Sequence, residues 1–367
     1  MAHLFKKIGF HANGKPRAWL KSLVFDAQLA PRPLFKSWVC PPTGDIHPAF
    51  RAWLRLAWQN PAPSAQNEWP VRRRHLIEHK ALGDVRTLII VCTRPTTFVA
   101  HALQTHATAL GLEVRIQFDM PEDFDEDLYL VICPQMFARL PPGEKRIVFQ
   151  MEQSVHPRWF TPDYLNVLYN SLAVFDYSVH NIQFLIQQGL PADLLFHVPL
   201  SPVAHYPGAA DASTWTGSEA SSTCDVLFYG DLKNKRRQAF LKVLGEHFDV
   251  RAERSLYGQD LWQAMRQARV VVNIHYYENA LLESTRLCEC LSLGARVISE
   301  AATDQGQHPD WEDMLVFTPI NDVQAMVRAI QQHLQQTPAT APSLAERPMR
   351  MGPAFRAALQ ELNVRVA

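Results

Sequence analysis

Short runs of uninterrupted apolar residues alternate with helix-like segments along most of this chain, and this alternation limits its possible folds more than any other feature. The first series begins with RTLIIVC at residue 86 and ends with LLFHVPL at residue 200. The second begins with CDVLFYG at residue 224 and runs to DVQAMVRAIQQHLQQ. Wholly apolar strands separated by helices are typical of parallel sheets covered on both faces. The sequence therefore predicts two Rossmann-like, doubly wound α/β domains.

Changes in composition predict the domain boundaries. We expect an N-terminal domain at residues 85–205 and a C-terminal domain at 224–335, joined by a small, polar linker or mobile loop at 206–223. After a proline-rich break, a last amphipathic helix within residues 345–367 should pack back on the body. Ligands of such sheets bind outside the carboxyl ends of the strands, so two domains predict a site in the cleft between them.

Residues 1–84 differ from the rest and read as an irregular, basic extension interrupted by prolines. Residues 1–80 carry 13 Lys and Arg against 4 Asp and Glu, whereas the remainder carries 23 against 32. Five of the nine tryptophans lie here, and HPAFRAWLRLAWQN has helical spacing. The extension either wraps the acidic body or contacts an anionic membrane peripherally. We do not expect nucleic acid as its partner.

The cellular compartment is predicted from what the sequence lacks. The start, MAHLFKKIGFHANGK, has no apolar core of a signal peptide, and no window approaches 18 uninterrupted apolar residues. The six cysteines form no CxxC pair and no zinc spacing, which fits a reducing compartment. We therefore expect a cytoplasmic protein, either free or at the inner face of the membrane.

The segment 270–300, VVVNIHYYENALLESTRLCECLSLGARVISE, places titratable side chains between two apolar strands. Its first strand ends near His275 and Tyr276, which should emerge at the carboxyl edge of the sheet. We expect the next helix to begin between residues 279 and 282. Three charged residues of that helix are spaced i, i+3 and i+6: Glu283, Arg286 and Glu289. Such a row lies on one face of a helix, so it is either a buried ion-pair ladder or the wall of a binding site.

Several motifs resemble glycosyltransferases of the GT-B fold, a group that joins two Rossmann-like domains. ECLSLGARVISE resembles the segment E-x-x-x-x-G-x-x-V-I that closes their donor site, and FYGDLKNKRRQAFLKVL resembles the opening of the same half. IVFQMEQSVHPRWF and FDYSVHNIQFLIQQGLP look like the first half of bacterial members. The resemblance covers roughly residues 85–335.

This resemblance implies a nucleotide-sugar donor of the UDP or GDP type, held against the second domain. Glu289 matches the glutamate that accepts hydrogen bonds from the ribose hydroxyls. Gly230, Arg236 and Arg237 match the loop and the basic residues that meet the diphosphate. The further residues that we assign to the donor side are Lys235, Tyr276, Glu283, Arg286 and Glu300.

Three residues are candidates for the chemistry of sugar transfer: Glu152, His156 and His275. Glu152 and His156 follow the fourth strand of the first domain, so either could deprotonate a hydroxyl of a glycan, glycolipid or lipid-linked acceptor. Many retaining members carry two glutamates eight residues apart, but Leu281 stands eight residues before Glu289. This departure leaves a retaining and an inverting reaction both open.

No metal or other cofactor is expected. The acidic segment PEDFDED contains Asp123, Asp125 and Asp127, but it precedes a strand instead of ending one, which favours a solvated loop over a metal site. The histidines form no HExxH or similar metal spacing. Two other functions remain open, namely a non-catalytic α/β protein whose basic extension binds a partner and a nucleotide-sugar epimerase of the same double fold.

Overall fold

The structure of this chain is a computed structural model that describes residue 24 and residues 69–79, 82–207, 223–335 and 344–365. Within these ranges the chain forms one sheet of six strands and one of five, and every strand pairing is parallel. Helices separate most of the strands. The prediction of two Rossmann-like α/β domains is therefore confirmed.

The first sheet has the spatial order β2-β1-β3-β4-β5-β6. Its strands are β1 Thr87–Val91, β2 Glu113–Gln117, β3 Leu128–Ile132, β4 Arg146–Gln150, β5 Ala173–Asp176 and β6 Leu195–His197. All five residues of β3 and of β4 are buried, as expected for central strands covered by further structure on both faces. The helices of this part are α1 Trp69–Glu78, α2 Thr97–Ala109, α3 Pro162–Tyr169 and α4 Val179–Gln187.

The second sheet has the order β11-β10-β9-β7-β8. Its strands are β7 Cys224–Tyr229, β8 Val250–Glu253, β9 Ala268–Asn273, β10 Val297–Glu300 and β11 Val316–Thr318. Its helices are α5 Lys235–Gly245, α6 Gly258–Arg266, α7 Ser284–Ser292 and α8 Val323–Gln335. The strand order changes direction between β7 and β9, as it does between β1 and β3 in the first sheet, and such switch points create crevices at the carboxyl edge.

The last helix, α9 Met351–Glu361, returns to the first domain. The ring of Phe355 meets that of Phe175 edge-on at 5.9 Å. The side-chain amide of Asn363 donates a hydrogen bond to the carbonyl of Ile77 in α1. The chain therefore crosses from the second domain back to the first, so its C-terminal helix is a second connection between the domains.

Two local predictions differ from the structure. Residues 69–78, read as irregular, form α1, which is anchored by a hydrogen bond of 3.2 Å from the Trp69 indole to the Ser171 carbonyl and by an ion pair of 2.9 Å between Arg73 and Asp193. The helix expected to begin between 279 and 282 begins at Ser284. The predicted helix in HPAFRAWLRLAWQN lies outside the described residues. None of the helices in the described ranges is long and apolar enough to span a membrane.

Candidate functional site

A cleft of about 300 Å³ lies between the carboxyl edges of the two sheets. From the first domain it is lined by residues that follow β1, β4 and β5, namely Pro95, Met151, Gln153 and Tyr177. From the second domain it is lined by residues that follow β7 and β8 and by the start of α7, among them Gly230, Arg254, Tyr257, Glu283, Arg286 and Glu289. The cleft thus lies where the strand alternation predicts a ligand site.

The three charged residues Glu283, Arg286 and Glu289 have two different environments, with Glu283 at the N-cap of α7 and the other two within the helix. At its start, the Glu283 carboxylate lies 2.6 Å from an Arg286 guanidinium nitrogen and 3.0 Å from one of Arg237. It also accepts a hydrogen bond of 3.2 Å from the Tyr276 backbone N–H. Burial alone would raise the pKa of Glu283, but the two arginines hold that pKa well below its usual range. Glu283 is therefore an internal counter-ion, as the ladder interpretation requires.

Glu289, at the other end of the row, has a different partner. Its carboxylate accepts a hydrogen bond of 2.8 Å from the hydroxyl of Tyr206. Burial raises the pKa of Glu289 to about 7, although the Tyr206 hydrogen bond and the charge of Arg286 oppose this rise. Its side chain lines the cleft and is only partly buried. Glu289 is thus available to a ligand in a way that Glu283, held between two arginines, is not.

The two arginines that the sequence assigns to a diphosphate are engaged elsewhere. Arg236 forms a two-pronged ion pair with the fully buried Glu300 and donates a hydrogen bond of 2.9 Å to the His275 carbonyl. Arg237 is buried against Glu283 and donates to the Ile274 carbonyl at 2.9 Å. Neither is among the residues that line the cleft, and each is paired with a carboxylate of its own domain. Lys235 is exposed at the start of α5 and does not line the cleft either.

Two other arginines do line the cleft. Arg286 reaches from α7 toward Gly230, where a Cβ atom added to the glycine would lie 3.0 Å from a guanidinium nitrogen. Gly230 has a φ of +145°, a conformation open mainly to glycine, so the backbone can approach a ligand closely. Arg254 follows β8 and is exposed, with no hydrogen bond or ion pair to any residue in the described ranges. Its position directly after a strand is the signal that sequence reasoning missed.

His275 and Glu300 support the fold instead of the cleft. His275 is fully buried, its ring Nε2 lies 3.1 Å from the Ala301 carbonyl, and its backbone N–H donates to Glu300 at 2.9 Å. Glu300 also accepts a hydrogen bond of 3.0 Å from the backbone N–H of Asn321. Neither residue is among those that line the cleft, and the contacts of both side chains are internal to the second domain.

On the first-domain side, Glu152 is not itself among the residues that line the cleft, but it stands between two that are, Met151 and Gln153. Its carboxylate accepts a hydrogen bond of 2.6 Å from the Gln135 side chain. Burial raises the pKa of Glu152 to about 7, while Arg158 and the Gln135 hydrogen bond act in the opposite direction. A carboxylate with this pKa is suited to accept a proton near neutral pH.

His156 takes part in a contact between the domains. Its ring stacks on that of Tyr277 with centroids 4.3 Å apart and an interplanar angle of 10°. The Arg158 guanidinium lies 5.9 Å from the centre of the same Tyr277 ring. Near this stack, the Gln153 amide donates to the Leu281 carbonyl at 3.0 Å and accepts from the Leu281 N–H at 3.1 Å. Together these contacts hold the loop before α7 against the first domain.

The Gln153 contact explains why α7 begins later than the sequence predicts. A side chain that pairs with both polar groups of one peptide segment keeps that segment out of the helix, and the next N–H, of Leu282, donates to Asp304 at 2.8 Å. Helix α7 therefore begins only at Ser284. Leu281 itself is buried, so the position where many retaining transferases carry a glutamate is occupied here by a packing residue.

The described residues hold no group of three or more His, Cys, Asp or Glu side chains arranged to bind a metal ion. The acidic loop reaches the amino edge of the first sheet, opposite to the edge at which the cleft lies. Asp127 accepts hydrogen bonds of 2.8 Å and 3.0 Å from the backbone N–H groups of Arg86 and Thr87, at the amino end of β1. Because the cleft lies at the carboxyl edge, this loop is remote from it.

Comparison with known proteins bears on the second domain. Residues 225–351 match the family model described as glycosyl transferase-like, which agrees with the resemblance found in the sequence. No curated protein matches the chain.

Solved structures with a similar fold include HepE from Anabaena in complex with UDP-glucose, at 11% identity and a TM-score of 0.45, with 76% of this chain and 96% of that chain covered. Sucrose-phosphate synthase from Thermosynechococcus elongatus follows at 13% identity and a TM-score of 0.42, covering 76% and 94%. UDP-N-acetylglucosamine 2-epimerase from Rickettsia bellii has 13% identity, a TM-score of 0.39 and the same coverage, 76% and 94%. Likenesses at this level do not distinguish a transferase from an epimerase.

Proposed function

We propose that this chain is a glycosyltransferase that holds a nucleotide sugar in the cleft between its two α/β domains and transfers the sugar to an acceptor hydroxyl. The observation that carries the proposal is that Glu289, Arg254 and Arg286 line the same wall of the cleft, so that a carboxylate and two guanidinium groups belong to one site. This wall belongs to the domain that matches the glycosyl transferase-like family model.

Each of these groups suits one part of a nucleoside diphosphate. A carboxylate accepts two hydrogen bonds from a vicinal diol, so Glu289 would hold the ribose. Guanidinium groups bind phosphate oxygens with paired hydrogen bonds, so Arg254 and Arg286 would meet the diphosphate. Gly230 also lines the cleft, and a Cβ atom added there would lie 3.0 Å from an Arg286 guanidinium nitrogen.

The reaction that we propose uses Glu152 as the general base. Glu152 takes the proton of the acceptor hydroxyl, and the hydroxyl oxygen forms a bond to the anomeric carbon of the donor sugar. The bond from that carbon to the diphosphate oxygen breaks, and the nucleoside diphosphate leaves with the electron pair. The positive charges of Arg254 and Arg286 would stabilise the charge that develops on the leaving group. The pKa of Glu152, raised by burial to about 7, supports this role.

The acceptor that we propose is a glycan or a glycolipid of the kind used in cell-surface glycan synthesis, and the donor sugar would be a hexose. The five cysteines that the structure shows as free thiols support a reducing, cytoplasmic compartment. Contact of the basic extension with an anionic membrane would bring the cleft to a lipid-linked acceptor. Most of that extension lies outside the described residues, so this contact remains a proposal from the sequence.

The donor assignment predicts that UDP or GDP stabilises the protein against heat and that Arg254→Gln weakens this binding about 10- to 100-fold, the effect of a lost charge-assisted hydrogen bond. Thermal shift titrations measure both. Arg251→Gln is the matched control, because Arg251 lies three residues earlier, pairs with Glu253 at 2.9 Å and does not line the cleft. Equal affinity of the Arg254→Gln variant and the wild type would contradict the diphosphate contact.

The same experiments separate the proposed transferase from its alternatives. A non-catalytic scaffold would show no stabilisation by either diphosphate. An epimerase would convert a nucleotide sugar without any acceptor, which product analysis by chromatography detects.

We further expect turnover to be independent of divalent metal ions. Cations of the protein itself, Arg254 and Arg286, face the cleft and can neutralise a diphosphate. Donor turnover in a large excess of EDTA should equal that without chelator, within about twofold. Loss of activity with EDTA and its recovery with magnesium or manganese would show that the reaction needs a metal.

A further inference from the structure

Tyr206 occupies the centre of the interface between the domains. Its side chain is 2% exposed, and its ring meets those of Phe98 and His101 from α2 edge-on at 5.3 Å and 5.8 Å. On its other side it meets the ring of Trp262 from α6 at 5.6 Å. Tyr206 belongs to the segment that leaves the first domain after β6, so one residue of the connection touches both domains.

This segment is also seated on the donor helix. The backbone N–H of Val203 donates a hydrogen bond of 2.9 Å to the Ser292 hydroxyl in α7. Three residues later, the Tyr206 hydroxyl donates at 2.8 Å to Glu289, which lies on the same helix 83 residues further along the chain. The ring contacts fix the direction of the Tyr206 hydroxyl, so the hydroxyl can hold the carboxylate in one orientation.

We propose that Tyr206 is a positioning residue of the donor site, whose hydroxyl holds the Glu289 carboxylate ready for the ribose hydroxyls. The proposal rests on the proposed function, because it assumes that Glu289 binds the donor. A carboxylate oxygen has more than one lone pair, so a hydrogen bond from Tyr206 leaves capacity for both ribose hydroxyls. The same contact couples the donor site to the position of the first domain, since the Tyr206 ring packs on α2.

The electrostatics of Glu289 support this role. The groups that face it are Tyr206 from the connection, Tyr229 from β7 and, on α7 itself, Arg286 and Cys290. Burial raises the pKa of Glu289, and the Tyr206 hydroxyl and Arg286 lower it. Next to Tyr206, burial lowers the pKa of His101. Removal of the Tyr206 hydroxyl should raise the pKa of Glu289 further and leave the other charges in place.

The test is the pH profile of UDP and GDP binding in Tyr206→Phe, a substitution that keeps the ring contacts. The ionised carboxylate exists above its pKa, so wild-type affinity should fall as the pH drops through about 7. In Tyr206→Phe the same fall should begin up to about one pH unit higher, as expected for the loss of one hydrogen bond to the charged form. An unchanged midpoint in Tyr206→Phe would overturn the proposal.

Two further variants complete the experiment. Glu289→Gln cannot ionise at this position, so its profile contains only the titration of the ligand's own phosphate and serves as the baseline. Tyr129→Phe is the matched control, because Tyr129 is a buried tyrosine, remote from the cleft, whose hydroxyl accepts a hydrogen bond of 3.0 Å from the Glu126 N–H. Failure of the proposed function looks different, since the wild type would then bind neither diphosphate or Glu289→Gln would bind as tightly as the wild type.

Discussion

Replacement of Glu283 by glutamine should lower the free energy of unfolding by about 3–5 kcal/mol, the usual effect of removing one partner from a buried ion pair. The Glu283 carboxylate is the shared counter-ion of Arg237 and Arg286, at 3.0 Å and 2.6 Å. Glutamine leaves the buried Arg237 and the partly buried Arg286 without the carboxylate that they share. For a domain of this size the loss corresponds to a fall in Tm of roughly 6–20 °C, measurable by differential scanning fluorimetry.

The control for this variant is Glu144→Gln, which breaks the exposed pair between Arg72 and Glu144. Exposed pairs contribute little, so the control should change the stability by less than about 1 kcal/mol. If Glu283→Gln is as stable as the control, then Arg237 and Arg286 do not depend on Glu283 and the interpretation of a buried ladder is wrong.

Acid unfolding gives an independent measurement of the same contact. The folded-state pKa of Glu283 is depressed, so its contribution to stability is complete above its unfolded-state pKa of about 4.3 and is lost as the pH falls further. The wild type should therefore lose more stability than Glu283→Gln between about pH 5 and pH 2. Curves of Tm against pH that run parallel for the two proteins would contradict the depressed pKa.

Glu289→Gln should have the opposite pattern of effects, with a large loss of ligand affinity and little loss of stability. We expect UDP or GDP to bind about 10- to 100-fold more weakly, since a charge-assisted hydrogen bond contributes about 1.5–3 kcal/mol. The stability at pH 7 should change by less than about 1 kcal/mol, because burial has already raised the pKa of this carboxyl to about 7. Isothermal titration calorimetry and thermal unfolding measure the two quantities separately.

A matched control for Glu289→Gln is Glu246→Gln, an exposed glutamate at the end of α5 in the same domain. It should leave both affinity and stability unchanged. Unfolding of Glu289→Gln would mean that both glutamates of α7 are structural and that the donor contact must be sought elsewhere in the cleft.

The comparison of Glu283 with Glu289 shows where sequence reasoning ends. Glu283 caps the start of α7 and Glu289 lies within it, six positions later, and the sequence alone permitted a buried ladder or a ligand site for the whole row. The structure assigns the first interpretation to Glu283 and places Glu289 in the cleft beside Tyr206. The difference arises because Arg237, from α5, reaches the first carboxylate and not the second.

Arg236 and Arg237 are a second case in which the sequence pattern does not reveal how charged side chains are paired. A basic pair at a helix start after a glycine is a sound pattern for a phosphate site, and the glycine does line the cleft. Both arginines are instead paired with carboxylates of their own domain, Arg236 with Glu300 and Arg237 with Glu283. Arg254 shows no such partner in the described part of the chain, and only the fold reveals that its loop faces the cleft.

By itself the sequence determined the two parallel sheets, their separating helices and the edge at which polar groups gather, because these follow from local periodicity and from burial of apolar strands on both faces. Only the tertiary structure decided which polar groups are paired internally and which face the cleft. The contacts that decide this join residues far apart in the chain, 83 positions for Tyr206 with Glu289 and 128 for Gln153 with Leu281. Neighbours in space decide whether a charged side chain is paired internally or can meet a ligand. Periodicity along the chain contains no information about those neighbours.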